Sequence, residues 1–342
     1  MLNHFVIAAS AKIFRSRVKE ACVGLAAMLA LTGCAAVQVK LGMKVYLERI
    51  PIVSIAVSQP KGAGIAPGEK SPLVVRVTSP EGKVLATEGE GHGKILWKDL
   101  TVTPSVGAAS KKGVVSLPQD PRISDGKTVH VAITVPSHPD MRAEMDIPVR
   151  YDRKFSAYFS GSSGSSGTDG SDGMDGSSGS SGSLDPDHPS AGGNGSDGTN
   201  GSDGQSGGDG GDGPPVQVRV ALRQGDHPLL QIGVSAGGRE SLYLVDPQGG
   251  SLTVSSDGGS GGSGGRGGRG GRGGSGGIGS PNGSSGRDGL SGNNGSNGSS
   301  GRGGSIAVTY DPQAKAYLGV IRLSNPGGPR PVYREERVGP LW

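Results

Sequence analysis

The stretch GSSGSSGTDGSDGMDGSSGSSG, residues 161–182, decides how the rest of this chain is read, because glycine stands at every third position through it. The spacing returns in GGNGSDGTNGSDGQSGGDGGDG at 192–213, in GGSGGSGGRGGRGGRGGSGGIG at 258–279 and in GSSGRDGLSGNNGSNGSSGRGG at 283–304, so four runs of equal length each hold eight glycines in one phase. Runs so poor in apolar side chains cannot build an enzyme core. Collagen shares the period, because only glycine fits at its three-chain axis, but it relies on frequent proline, and these runs contain none.

In a polyproline II-type helix, with three residues per turn and a rise of ~3.1 Å, every third residue lies on one face. A glycine face lets two such helices meet backbone to backbone, and the N–H and C=O groups with no internal partner can bond to neighbours. That is the logic of a polyglycine II bundle, with arms of roughly 70 Å. Ordering each residue costs ~1–2 kcal/mol, while each hydrogen bond returns a net ~0.5–1.5 kcal/mol, so the terms nearly cancel. A flexible glycine–serine tether fits the same composition, and both readings stand. DPDHPSA at 185–191 and Ser280-Pro281-Asn282-Gly283 carry the residues that turns favour, so the runs pair as two long hairpins. FSAYF and VQVRV flank the first hairpin, SLTVSS and SIAVTY the second, and strands able to pair thus stand at each mouth.

Charge follows the period. Asp169, Asp172, Asp175, Asp197, Asp203, Asp209 and Asp212 all directly precede a glycine, and no Lys or Arg occurs from 161 to 215. Arg266, Arg269 and Arg272 take the same phase in the third run; Arg287 and Arg302 stand elsewhere, in the fourth, and only Asp288 opposes them. An acidic and a basic comb of equal pitch can dock; exposed ion pairs contribute only ~0–1 kcal/mol each, so they align more than they hold.

Outside the runs the patterning is that of strands. KVYLER at 44–49, IVSIAV at 52–57, PLVVRV at 72–77 and TVHVAITV at 128–135 alternate or run apolar, with turns such as Pro80-Glu81-Gly82 between them. Val129, Val131, Ile133 and Val135 share one face, and Trp97 is expected in the core. The fold class is all-β: an immunoglobulin-like β-sandwich, plus a small second β-domain made of VQVRVAL, LLQIGVSA, SLYLVD and SLTVSS together with SIAVTYD and YLGVIRLS. The expected organisation is a signal segment at 1–33, an anchor and sandwich domain at 34–159, an acidic repeat hairpin at 160–215, the first part of the second domain at 216–257, a basic repeat hairpin at 258–304, and its second part with a tail at 305–342.

At the N-terminus, Lys12, Arg15, Arg17 and Lys19 precede an apolar stretch from Ala21 to Leu31, the layout of a secretory signal and too short to span a bilayer. It ends in Leu31-Thr32-Gly33-Cys34, which resembles the lipobox of bacterial lipoproteins. The resemblance implies cleavage between Gly33 and Cys34, diacylglycerol on the Cys34 thiol and an acylated new amine. Ala35 after the cysteine then implies export to the outer membrane. Multiple acyl chains hold stably where one holds marginally. With Cys22 removed and Cys34 modified, no cysteine remains for a disulfide. The formal charge of +4 falls to about +1 once the segment, with four basic residues and Glu20, is removed, so a basic balance does not argue for nucleic acid.

GGRGGRGGRGG at 264–274 resembles RGG boxes but lacks the aromatics that stack on bases. GGSGG at 258–262 matches a hydrolase nucleophile pattern by letters alone, and His92, His130, His138, His188 and His227 have no metal-ligand spacing. No catalytic, cofactor or metal site is therefore expected. The chain resembles bacterial envelope lipoproteins with collagen-like Gly-x-x tracts between small β-domains. That resemblance implies a non-enzymatic, lipid-anchored spacer or adhesive protein; the alternative is a module binding an anionic envelope polymer or glycan through Arg266, Arg269 and Arg272.

Overall fold

The computed structural model describes residues 38, 39, 41–225 and 227–342. The signal segment, Gly33 and Cys34 lie outside the described residues. The chain is all-β and forms two compact units, divided between Arg150 and Tyr151.

The first unit contains β1 (Ser54–Ser58), β2 (Lys70–Pro72), β3 (Val74–Thr78), β4 (Val84–Ala86), β5 (Thr101–Pro104), β6 (Ala108–Ala109), β7 (Val114–Ser116), β8 (Thr128–Val135) and β9 (His138–Pro148). They make three antiparallel sheets, ordered β1-β3-β4, β2-β7-β6 and β5-β8-β9. Strand β8 coincides with the alternating stretch, and Val129, Val131, Ile133 and Val135 are all fully buried. Their β-branched side chains pack with Leu47, Val75, Trp97 and Ile147 in one buried cluster, and removing that apolar surface from water contributes ~25 cal/mol per Å². Trp97 is in the core as expected: its ring covers Gly113, whose φ of +66° and bare Cα leave room for the indole, and its Nε1 donates to the Glu88 carbonyl.

KVYLER is not a strand. Val45 makes one bridge to Ile95, and Leu47–Arg49 turn into a 3-10 helix. The cause is tertiary: Asp99 Oδ2 accepts the Leu47 N–H, which a ladder would have used, while Lys98 and Arg49 lie against the Tyr46 ring.

The second unit contains β10 (Lys154–Ser160), β11 (Val216–Arg223), β12 (Leu229–Ala236), β13 (Arg239–Val245), β14 (Ser251–Asp257), β15 (Ile306–Tyr310), β16 (Ile321–Ser324) and β17 (Val332–Glu335). Strand β10, which the sequence placed in the first domain, belongs here. It pairs in parallel with β14, and β14 in parallel with β16. A second sheet runs β13-β12-β11-β15-β17, with β11 and β15 parallel. The two sheets share one core, in which Ala157, Leu252, Val254 and Ile321 of the first meet Val218, Ile232, Tyr243 and Val308 of the second. YLGVIRLS is a strand only over its last four residues. Before it, Asp311 caps a 3-10 helix, Pro312–Val320, by accepting the Gln313 N–H, with Pro at the first position where no donor is needed. The tail is tied down by buried Gln231, whose side chain bonds the Leu341 N–H and the Trp342 carbonyl.

The pairing at the mouths differs from the hairpin expectation. FSAYF joins SLTVSS, not VQVRV, and VQVRV joins SIAVTY. Strands that enter or leave the runs in the same direction pair side by side, across the two runs of glycine and not within one.

Candidate functional site

The four glycine runs continue those strands, and the strand register continues with them. Designated arms I (161–182), II (192–213), III (258–279) and IV (283–304), they carry no side-chain core and are joined by backbone hydrogen bonds. Each arm I glycine donates its N–H to arm III, from Gly161 to Asp257 and on to Gly182 to Ile278, eight bonds at 2.7–2.9 Å. Arm II glycines donate in the same way to arm IV, from Gly192 to Pro281 through Gly213 to Arg302. Both pairs are parallel. Antiparallel sets of seven link II to I (Gly193 to Ser180 through Gly211 to Ser162), III to II (Gly259 to Gly211 through Gly277 to Gly193) and IV to III (Gly283 to Gly277 through Gly301 to Gly259).

Five of the six possible arm pairs are thus bonded, and arms I and IV share no backbone bond among the described residues. In cross-section the arms form a rhombus whose short diagonal joins II and III. Arm III repeats Gly-Gly-x along its whole length, whereas arm II doubles its glycines only at 192–193, 207–208 and 210–211, because both stripes of arm III face main-chain carbonyls. Its phase from Gly259 to Gly277 is buried and faces arm I, where a Cβ would overlap the carbonyls of Ser162 to Ser180. Its other phase, Gly258 to Gly276, faces the carbonyls of arm IV. Arms I, II and IV need one glycine stripe each; in the first two it meets carbonyls of arms II and III, and in the last those of arm II.

Many of the residues before a glycine serve the backbone. Asp169, Asp172 and Asp175 accept, through Oδ1, the N–H groups of Arg266, Arg269 and Arg272 at 2.7–2.8 Å, each partner 97 residues away. Strands β10 and β14 have the same offset, Lys154 standing opposite Ser251. Along arms II and IV the offset is 90, as in Val216 opposite Ile306. There Asn194, Asp197, Asn200, Asp203, Ser206, Asp209 and Asp212 accept from Ser284, Arg287, Leu290, Asn293, Ser296, Ser299 and Arg302. Asp288, Asn294 and Asn297 of arm IV do the same for Gly273, Gly267 and Gly264 of arm III.

The acidic and basic combs therefore adjoin, position for position, but the bond that links them runs from main-chain N–H to carboxylate. The guanidinium groups of Arg266, Arg269 and Arg272 project from the exposed face of arm III, each level with one aspartate of arm I. The sequence reading missed the Asx-to-backbone ladder; its signal was the recurrence of Asp and Asn, both short acceptors, directly before glycine.

Gly33 and Cys34 lie outside the described residues, so the structure does not bear on the anchor. No helix among the described residues is long and apolar enough to cross a membrane. Comparison of the chain with protein-family models, with curated proteins and with solved structures finds no match.

Proposed function

We propose that the protein is a non-enzymatic, lipid-anchored component of a bacterial cell envelope, held to the outer membrane through acylated Cys34, in which the glycine arms act as a stiff spacer. The arms are read as a polyglycine II-type bundle of two hairpins, and the first unit as an immunoglobulin-like sandwich module. One observation carries this reading: backbone hydrogen bonds join every arm to at least two others at three-residue intervals, so order comes from the main chain and needs no side-chain core. Such a bundle gives ~70 Å of reach from 22-residue arms. Its two-sheet base fixes one end of each of the four arms and the turns join the other ends in pairs, which removes part of the entropy cost that a free tether would keep.

Recognition of an anionic polymer or glycan through Arg266, Arg269 and Arg272 is the other reading. The exposed guanidinium row favours it, but the aspartate row beside it leaves that stripe balanced in charge, so its field for a polyanion is weak. The spacer role is therefore the conclusion. The test is membrane retention: the parent should sediment with lipid and Cys34→Ser should be released into the soluble fraction. Equal sedimentation of the two would overturn the anchor.

A further inference from the structure

The face shared by arms I and III carries two straight rows of exposed side chains. Asp169, Asp172 and Asp175 form the middle of one row and Arg266, Arg269 and Arg272 the middle of the other. Each aspartate is level with one arginine, because its Oδ1 accepts that arginine's main-chain N–H. Serines continue both rows toward the base, where Ser260 and Ser263 meet Ser163 and Ser166 at 3.3 Å. At three residues per turn the charges recur every ~9.3 Å along both rows. Within the chain they are not spent on each other: among the described residues none of the three guanidinium groups makes an ion pair, and the main-chain bond of each aspartate takes Oδ1 alone.

An aspartate row beside an arginine row of equal pitch is complementary to a copy of itself. Turning a second molecule by 180° about an axis that runs parallel to the arms, midway between the rows, lays its aspartates over the first molecule's arginines and its arginines over the first molecule's aspartates. Three levels then give six intermolecular pairs. Turning it about an axis across the arms sets Asp on Asp and Arg on Arg. A two-fold, isologous contact through this face is therefore favourable only with the bundles parallel. The opposite face, formed by arms II and IV, lacks this balance: Asp197, Asp203, Asp209 and Asp212 stand beside only Arg287 and Arg302, so each copy keeps a surplus of two negative charges that repels its like. Twenty-two residues at ~3.1 Å and two rows ~4.8 Å wide give the face of arms I and III about 700 Å², near the ~800 Å² per partner of a standard stable interface.

We propose that the face of arms I and III is a homodimer interface, through which two copies lie side by side with their bundles parallel and each aspartate row against the other copy's arginine row. A parallel pair keeps both bases at one end, so two copies anchored in one membrane can form it.

Two triple variants of the unacylated Cys34→Ser chain test the pairing. Asp169→Asn, Asp172→Asn and Asp175→Asn together keep every main-chain acceptor and remove the charge of one row; Arg266→Gln, Arg269→Gln and Arg272→Gln together remove the charge of the other. In sedimentation equilibrium at about 50 mM salt the Cys34→Ser parent should be dimeric, and each triple variant should dimerise at least tenfold more weakly. Salt at about 1 M, where the Debye length falls to ~3 Å, should weaken the parent likewise. Mixed in equal amounts, the two variants should associate more tightly than either does alone, because the intact arginine row of one meets the intact aspartate row of the other. A monomeric parent at low salt overturns the proposal, as does a mixture that associates no more tightly than its components. Orientation has its own readout. With Cys22→Ser and Cys34→Ser removing both native thiols, a chain carrying Ser166→Cys should form disulfides with one carrying Ser263→Cys, which lies opposite it in the parallel pair. Preferential cross-linking to a chain carrying Ser178→Cys, which an antiparallel pair would place there, overturns it.

Discussion

Substituting Gly268 with alanine puts the rhombus to its most direct test. Gly268 belongs to the buried stripe of arm III, and a Cβ built on it would fall 2.0 Å from the Ser171 carbonyl oxygen of arm I. Ordinary contact begins near 3.4 Å, so arms I and III must part by roughly 1.4 Å, and both partners are main chain that cannot swing aside. The bonds from Gly170 to Arg266 and from Gly173 to Arg269, each 2.7 Å, would lengthen to roughly 4.1 Å, beyond hydrogen-bond range. The Arg269 N–H to Asp172 bond would go with them. Three lost bonds at ~0.5–1.5 kcal/mol each give ~2–4 kcal/mol, or a melting temperature lower by about 10 °C in a unit of this size. Circular dichroism melts measure the shift, and hydrogen exchange should show faster exchange in arms I and III on both sides of the substitution. Gly319→Ala is the matched control, since nothing lies within 4 Å of its added methyl. If Gly268→Ala melts within about 2 °C of the parent and its arm amides exchange no faster, the close approach of arms I and III is wrong.

The Asx ladder makes a second prediction. Asp203→Asn keeps a carbonyl oxygen for the Asn293 N–H and should change stability by less than about 0.5 kcal/mol, whereas Asp203→Ala removes it and should cost about 1 kcal/mol; chemical denaturation of the pair distinguishes an acceptor role from a charge role. A third concerns pH. The Lys315 ammonium, hydrogen-bonded to Glu335 at 2.7 Å, holds that carboxyl below its ordinary range, and Glu335 in turn raises Lys315. A depressed glutamate stabilises above its unfolded value and loses that contribution as pH falls through the folded one; a raised lysine loses its contribution as pH rises through the folded value. The melting gap between parent and Glu335→Gln should therefore be widest near neutrality and close at both extremes, while a pH-independent gap would contradict the pairing.

Local periodicity was legible because it is local physics. A glycine stripe at period three permits close-packed extended backbone but fits a flexible tether as well, whereas Thr128–Val135 reads as a half-buried strand because alternate residues must face opposite sides. The same reasoning failed at KVYLER, where Asp99, more than fifty residues away, captures the donor that a strand needs. At the candidate site the combs and their pitch were visible, yet their bonding was not: a carboxylate beside an arginine can choose the guanidinium or the main-chain N–H, and sequence carries no term that separates them.

The runs themselves, their equal length, the turns between them and the doubled glycines of 258–277 were set by sequence alone. Which arm lies beside which was not, since backbone N–H and C=O groups are the same in every run and all four share one pitch. The base made that choice. Parallel pairing of Lys154–Ser160 with Ser251–Asp257, and of Val216–Arg223 with Ile306–Tyr310, imposes offsets of 97 and 90 residues, and only in that register does each short acceptor meet a main-chain donor.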